Sequence, residues 1–490
     1  MSITTQNSKI IFGLKVKQLR MANGLSSTEV SKQADLSLSY LNEIEKGKKT
    51  PKADKIIRLA KVLNTTYEDL VSSELNGNLA HVGELLHSNF LNELPLDLFG
   101  IELSKLIEIV ANSPSRVGAF ISTLVELSRN YAFKEENFYF HALRAYQELN
   151  YNYFEKIEQE INTFIEQFSI PTQRPVPVAL LIQILETQYD YTVIEKDFEK
   201  IPPLKIMRSV FKPVSKNLYL NKRLNDQQKA LQLGKELAYN YLKLKERINT
   251  SYFMRVENFE KVLNNYFAGY FAVGILVYQP NFVQDLKAIF AQSTWQADAF
   301  LNLLEKYAVS PEVLFQRFNV LPAIFNVKKL FFLRINEPQK NQFQIDKEMH
   351  LNRRHQPHAN HLKEHYCRRW LSIRQLKEVS EKAANEQKPV VGVQRSKYMG
   401  TQDEYLCFTI ARPSYFPATK KVSVTIGLLI DEGLGQTIQF LDDPNIPRQV
   451  VSVTCERCTI EDCQERAVPP TVVDKREQRK GIREALKELE

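Results

Sequence analysis

Apolar positions recur every three or four residues through the first seventy positions, in short runs broken by glycine, serine and asparagine. Ile11, Leu14 and Leu19 lead to Asn23-Gly24. That spacing predicts an amphipathic helix closed by a left-handed glycine. Ser26-Ser27-Thr28-Glu29 reads as a capping box, with Ser26 bonding the first turn and Glu29 reaching back. Val30 and Ala34 continue its apolar face. Asp35-Leu36-Ser37 makes a tight turn, Ser37 caps a third helix from Leu38 to Lys46, and Gly47 stops it. Thr50-Pro51 is expected to open a fourth helix with proline at its first position. Ile56, Leu59, Ala60 and Leu63 form its inner stripe, and Leu70 closes a five-helix cluster. Leu41 and Ile44, three apart, share the core side, so Leu38, Ser39, Tyr40 and Asn42 are left outward.

Further along, 73–95 reads as a polar linker and 96–170 as helical. Leu103, Leu106, Ile107 and Val110 share one face. Phe140, Leu143, Tyr146 and Leu149 share another, continuing through Tyr153 to Ile157. This stretch is a connecting bundle or a dimer interface. A new unit begins at Pro175–Leu185, with strands at Tyr191–Ile194 and Asn217–Leu220 and helices at Asp226–Leu244 and Val262–Tyr278. The longest apolar run, Tyr266 to Tyr278, falls short of the ~20 residues of a membrane span and predicts a buried helix. Leu330–Arg334, Lys388–Gln394, Glu404–Ile410 and Lys421–Leu429 read as strands, with a turn at Ser396–Gly400, which suggests an antiparallel α+β domain. The expected chain is multidomain, mainly α with an α+β C-terminal half. Its parts are 1–72, 73–170, 171–327 and 328–475, followed by a charged tail, 476–490.

Composition adds bounds. A length of 490 residues suits roughly three domains. The N-terminal residues lack a basic-then-apolar signal pattern. Five cysteines without an export signal point to a reducing, cytoplasmic setting. The net charge of +8 only permits nucleic-acid binding. Residues 1–72, however, hold 12 lysines and arginines against 7 acids, an excess of 5. Lys46, Lys48, Lys49 and Lys52 cluster behind the third helix, where they suit phosphate contacts.

Cys455, Cys458 and Cys463 form C-x-x-C-x4-C and run into Arg466-Ala467-Val468-Pro469. Thiols packed so closely in a reducing compartment usually hold a metal. Three thiolates need a fourth ligand for a tetrahedral zinc site or a four-iron cluster. Cys407 lies in an apolar strand, where a thiol is a small core residue. Cys367 lies in a basic segment, beside Arg368 and Arg369, and is the expected fourth ligand. A [4Fe–4S] cluster suits the x4 gap and the distant fourth cysteine better than Zn2+, which stays open as the alternative. His350, His355, His358, His361 and His365 crowd nearby and read as a solvated loop, with a histidine replacing one thiolate as the other possibility.

The run Ser37 to Gly47 is similar to the recognition helix of XRE/Cro-type helix-turn-helix proteins. That resemblance implies double-stranded DNA as partner, contacted by Ser27, Thr28, Leu38, Ser39, Tyr40, Asn42, Lys46, Lys48 and Lys49. Asn42 would bond adenine, and Tyr40 a thymine methyl or a phosphate. The family often carries glutamine where this chain has Ser27, which shortens that contact. Residues 171–327 resemble the ImmA/IrrE zinc-peptidase domain. Its H-e-x-x-H helix would fall at Lys235-Glu236-Leu237-Ala238-Tyr239, with the third ligand near Phe267. The histidines are missing, so the resemblance implies a degenerate peptidase shape kept as a binding domain, and no enzyme. The order of parts, the cysteine array and Tyr366-Cys367-Arg368-Arg369-Trp370 resemble the short-chain fatty acyl transcriptional regulators. That family implies an acyl-CoA effector, a homodimer and a metal-binding sensor domain. Lys235, Tyr239, Tyr266 and Tyr270 would then line the ligand groove. Rival readings are an antitoxin-like or redox-sensing regulator whose middle domain binds a protein, and a metal-dependent protease, which the lost histidines disfavour.

Overall fold

In a computed structural model of the chain the described residues are 3–73, 75, 105, 135–251, 258–351, 364–382, 389–414 and 421–488. They form two compact units, Met1–Tyr146 with Val256–Phe259, and Gln147–Arg255 with Glu260–Glu490. The divisions read from the sequence at 170 and 327 fall inside the second unit. Most of the linker and the stripe Leu103, Leu106, Ile107 and Val110 lie outside the described residues.

The first unit carries five helices, α1 (Ile3–Ala22), α2 (Ser27–Gln33), α3 (Leu38–Glu45), α4 (Ala53–Val62) and α5 (Tyr67–Val71). Ser26 and Glu29 form the capping box of α2, and Ser37 caps α3 through the Tyr40 N–H. Gly24 and Gly47 take left-handed φ values of 67° and 66°. One expectation fails: Pro51 precedes α4, whose N-cap is Lys52 without a side-chain bond. Val16, Val30, Ala34, Leu41, Ile44, Leu59 and Leu70 are wholly shielded from solvent and form the core. A Cβ on Gly13 would stand 2.2 Å from the Ile44 carbonyl oxygen, so only glycine lets α1 lie against the end of α3.

A sixth helix, α6 (Glu135–Leu149), ends where Tyr151 and Asn152 turn left-handed at φ 49° and 53°. The continuous helix expected through Ile157 is therefore broken, and Leu149 is exposed. The chain restarts in α7 (Glu155–Gln167) and α8 (Val178–Tyr189). Strands β1 (Thr192–Lys196), β2 (Ser209–Lys212) and β3 (Asn217–Asn221) make a small sheet in the order β1-β3-β2, with β1 parallel to β3. Then come α9 (Asp226–Tyr241), α10 (Phe259–Leu276), α11 (Gln279–Phe290), α12 (Ala297–Tyr307), α13 (Pro311–Gln316) and α14 (Val320–Ile324). The apolar run at 266–278 supplies most of α10, which is buried as expected. Glycines set its spacing. A Cβ on Gly234 of α9 would meet Ala272 Cβ at 2.9 Å, and one on Gly274 would meet Ile161 Cδ1 of α7 at 2.3 Å.

The C-terminal half is α+β. Strands β4 (Leu330–Gln339), β5 (Gln342–His350), β6 (Val390–Tyr398), β7 (Glu404–Pro413), β8 (Lys421–Leu429) and β9 (Arg448–Val451) form one sheet, ordered β5-β4-β8-β7-β6-β9. All pairs are antiparallel except β6 with β9. Helix α15 (Leu371–Lys382) packs Ile373 and Leu376 onto Phe331, Leu333 and Tyr405. The opposite face carries Phe408 against Phe300 and Trp295, at ring distances of 5.1 and 5.4 Å. Helix α16 (Glu432–Thr437) precedes β9. The expected charged tail is the outer part of a helix, α17 (Thr471–Glu488). No helix among the described residues is long and apolar enough to cross a membrane.

Arg317 is fully buried and grips Glu158 of α7 through two bonds of 2.6 and 2.9 Å. Its Nε donates to the Val277 carbonyl at 2.8 Å, and Tyr270 OH donates to Glu158 at 2.7 Å. Arg317→Met strands a buried carboxylate and is expected to cost about 3–5 kcal/mol, read as a lower urea midpoint. Glu158→Leu in the same chain should restore most of it. A single variant as stable as the parent would show that the pair carries little.

Candidate functional site

Helix α3 presents a clean division. Leu41 and Ile44 are buried, Leu38, Ser39 and Asn42 are exposed, and Tyr40 is half-buried. Thr28, Lys46, Lys48 and Lys49 are also exposed, while Ser27 at the start of α2 is half-buried. Arg20 of α1 holds Glu45 at 2.7 and 3.1 Å, which fixes the rear of α3 while its N-terminal part stays open. Lys55 and Lys49 stand over the Tyr40 ring at 4.6 and 5.8 Å. Lys49 also pairs with Glu43 at 2.9 Å. A phosphate must compete for that lysine, whereas Lys46 and Lys48 make no ion pair among the described residues. An exposed polar helix start ringed by lysines suits insertion in a major groove.

The second cluster lies on α9. Glu236 bonds Arg247 at 2.6 Å and accepts from Tyr191 OH at 3.1 Å. The Arg247 guanidinium lies between the Phe211 and Tyr239 rings, 4.3 Å from each. Burial lowers its pKa and Glu236 raises it, with a net rise, so arginine and carboxylate are a fixed ion pair. Lys235 Nζ donates to Asn265 Oδ1 at 2.6 Å, and Tyr239 OH to the same oxygen at 3.3 Å. Burial pulls the half-buried Lys235 down to about 8, with Lys347, Arg208 and Arg247 adding to the fall against Glu236. The Arg208 side chain, also pulled down by burial, bonds no described residue. Nearby, burial pushes Glu312 up, but Lys347 and Arg334 outweigh it and hold this carboxyl at about 2. The Arg247 Nε is buried without an acceptor among the described residues. These residues make a polar cluster beside α9 with spare donors and surplus positive charge.

Two sequence expectations are corrected here. On α10 the residue facing Lys235 and Tyr239 is Asn265, not Phe267, whose ring packs on Phe154 at 5.3 Å. Two residues are about 200° of helix, so both cannot face one groove. For the same reason Tyr266 and Tyr270 do not line it. Tyr266 OH bonds Asn152, and Tyr270 OH joins the Glu158–Arg317 network. Arg208, Tyr191, Asn265 and Arg247 were missed because they come from four separate segments with no shared motif.

The third cluster is the cysteine turn. An isolated antiparallel bridge joins Tyr366 to Thr454. Cys367 N–H donates to the Val453 carbonyl at 3.1 Å, and Cys455 N–H to the His365 carbonyl at 2.8 Å. Trp370 Nε1 clamps the Ser452 carbonyl at 2.8 Å. The Cys367 sulfur accepts from Ser452 N–H and the Cys455 sulfur from Ala467 N–H, each at 3.5 Å. Burial pushes the Cys367 thiol up to about 11, and the neighbouring Cys455 and Cys458 add to the rise. Cys455 and Cys458 are buried and Cys463 is half-buried. Cys407 sits in the sheet core. Arg466 binds the Cys455 and Cys458 carbonyls at 3.1 and 3.3 Å. Glu456 accepts from the backbone N–H of His365 and contacts its Nδ1 at 2.8 Å. Arg368 turns to the Asn341 carbonyl and the Phe343 ring. His350 ends β5, and His355, His358 and His361 lie outside the described residues. As the side chains stand, no three His, Cys, Asp or Glu among the described residues converge on one ion. Donor chemistry and the N–H···S bonds at Cys367 and Cys455, with Cys458 beside them, fit a thiolate-held centre, whereas no contact among the described residues brings the Cys463 sulfur to the same point.

A family profile and one relative agree with the first cluster. A family profile described as "Helix-turn-helix" matches residues 16–70. The control protein C.BamHI of Bacillus amyloliquefaciens is 31% identical over 75 residues, 15% of this chain and 93% of that protein. A solved structure titled "Mycobacterium tuberculosis transcriptional regulator" aligns over 68% of this chain and 93% of its own, with a TM-score of 0.47 and 16% identity. Through its N-terminal unit, with an exposed recognition helix seated on a capped helix pair, the chain belongs to the XRE-type helix-turn-helix family of DNA-binding transcriptional regulators.

Proposed function

We propose that this DNA-binding regulator is switched by a short-chain acyl-CoA held in the α9 groove and braced by a cysteine-held metal centre. The observation that carries the effector is the groove's surplus of cations. Arg208 lacks a bonded partner, Lys235 has one neutral acceptor, and Arg247 keeps a buried unpaired Nε. An acyl-CoA brings phosphates for such donors. Glu236 is neutralised by Arg247, so we assign the groove binding and no catalysis.

Cys367, Cys455, Cys458 and Cys463 are the proposed ligands of a [4Fe–4S] centre, with Zn2+ as the alternative, and such a centre would lock the 366–367 and 454–463 segments together. The proposed assembly is a cytoplasmic homodimer, which sets two recognition helices about 34 Å apart on one face of the duplex. A ligand that favours one spacing then alters operator affinity.

Three measurements test these assignments. In selection from a random duplex pool, Asn42→Ala should relax the preference at one base pair and cost about 1–3 kcal/mol of discrimination. An unchanged selected sequence would remove Asn42 from base contact. Calorimetric titration with propionyl-CoA should give weaker binding as pH rises through about 8, because Lys235 loses its proton there. Lys235→Gln should lose about tenfold in affinity and most of that pH dependence. Affinity that stays flat with pH and unaltered in the variant would sink the groove assignment. Protein prepared without air should show bound iron and a broad visible band that Cys367→Ser removes and Cys407→Ser keeps. A colourless protein with stoichiometric zinc selects the alternative, and one without any metal ends the proposal.

A further inference from the structure

Helix α17 runs from Thr471 to Glu488 with no buried residue. At about 100° per residue, Lys475, Arg476, Arg479, Lys480, Arg483 and Lys487 fall within an arc of about 140°. Asp474, Glu477, Glu484 and Glu488 fall on the opposite side. A solvated helix ordinarily intersperses the signs so that neighbours four apart attract. Here Lys475, Arg479, Arg483 and Lys487 are spaced four apart in one line, an arrangement that repels along its length. Among the described residues none of these four makes an ion pair. The other two basic side chains, Arg476 and Lys480, reach Glu477 at 3.5 Å and Glu484 at 3.9 Å. Such a ladder becomes favourable when an extended anion lies along it.

The root of the helix is fixed. The Val472 N–H donates to the Glu456 carbonyl at 3.0 Å, inside the cysteine turn. Val472 and Val473 of the first turn are half-buried, and the basic face beyond them stands in solvent.

We propose that the basic face of α17 is a second nucleic-acid contact, an arm that binds the phosphate backbone of duplex DNA without reading sequence. It rests on the DNA-binding role of the helix-turn-helix. A membrane surface suits it less, because only Ile482 and Leu486 are large exposed apolar residues on the helix. Bound phosphates release counter-ions, so the arm steepens the salt dependence of binding.

The test uses the full chain and a fluorescent duplex of random sequence, with affinity followed by anisotropy across a salt series. The variant is Lys475→Gln, Arg479→Gln, Arg483→Gln and Lys487→Gln together, with glutamine keeping helix propensity and circular dichroism checking helical content. Affinity at low salt should fall roughly tenfold or more, and the log–log salt slope should become shallower by about 3. The control variant Glu477→Gln/Glu484→Gln should bind at least as tightly as the parent. A quadruple variant with parental affinity and slope overturns the arm alone, as does one that changes only sedimentation, which would mark α17 as a contact between copies. A parent chain that binds no duplex overturns the helix-turn-helix role as well.

Discussion

A charge shut away from water must find its opposite, and the second unit is built around one such match. Arg317 and Glu158 are both nearly free of solvent and lie far apart in sequence, yet they share two hydrogen bonds. Val277 and Tyr270 complete the shell, so α7, α10 and the turn after α13 are held in one register. Alone, either charge would carry a desolvation cost that apolar packing does not offset. This half of the fold therefore tolerates neither charge without the other.

The α9 groove applies the same rule with a different outcome. Glu236 is matched by Arg247, but Lys235 finds only an amide oxygen and Arg208 finds no bonded partner. Positive charge is left over beside the Tyr239 and Phe211 rings, which already sandwich Arg247. An incomplete match inside a folded unit is one that an anionic ligand could complete. The cysteine turn is a parallel case in sulfur chemistry, where one two-residue bridge and two N–H···S bonds bring separate segments together.

The reader at the N-terminus depends on close backbone approach. Gly13 lets α1 touch the Ile44 carbonyl, and the left-handed Gly47 turns the chain away behind α3. The recognition helix is thereby held from the rear by Arg20 and Glu45, while Leu38, Ser39 and Asn42 stand exposed and, of the outward residues, Tyr40 alone also packs on the core. Separating the two roles lets the reading surface vary without loss of the fold.

The helix-turn-helix was legible in the sequence because its signals are local: caps, a three-residue core spacing and glycines at the stops. The strands β4, β7 and β8 were legible in the same way, through mostly apolar runs, and β6 only in its first half, because the polar stretch Gln394–Lys397 hid its continuation to Tyr398 where the sequence reads as a turn. Strands β2, β5 and β9 were not, because they are short or edge-placed, carry polar residues, and exist through the partners they pair with. The groove was half legible. Lys235 and Tyr239 stood out four apart on one helix, but their partner on α10 was misassigned by two residues, since helical phase is decided by packing of Gly234 and Ala272. Sequence alone therefore determined which short segments would be helices and which thiols were candidates for one centre. Tertiary structure alone decided which charges meet, because ion pairs between distant segments depend on burial and direction, and neither is written in the order of the residues.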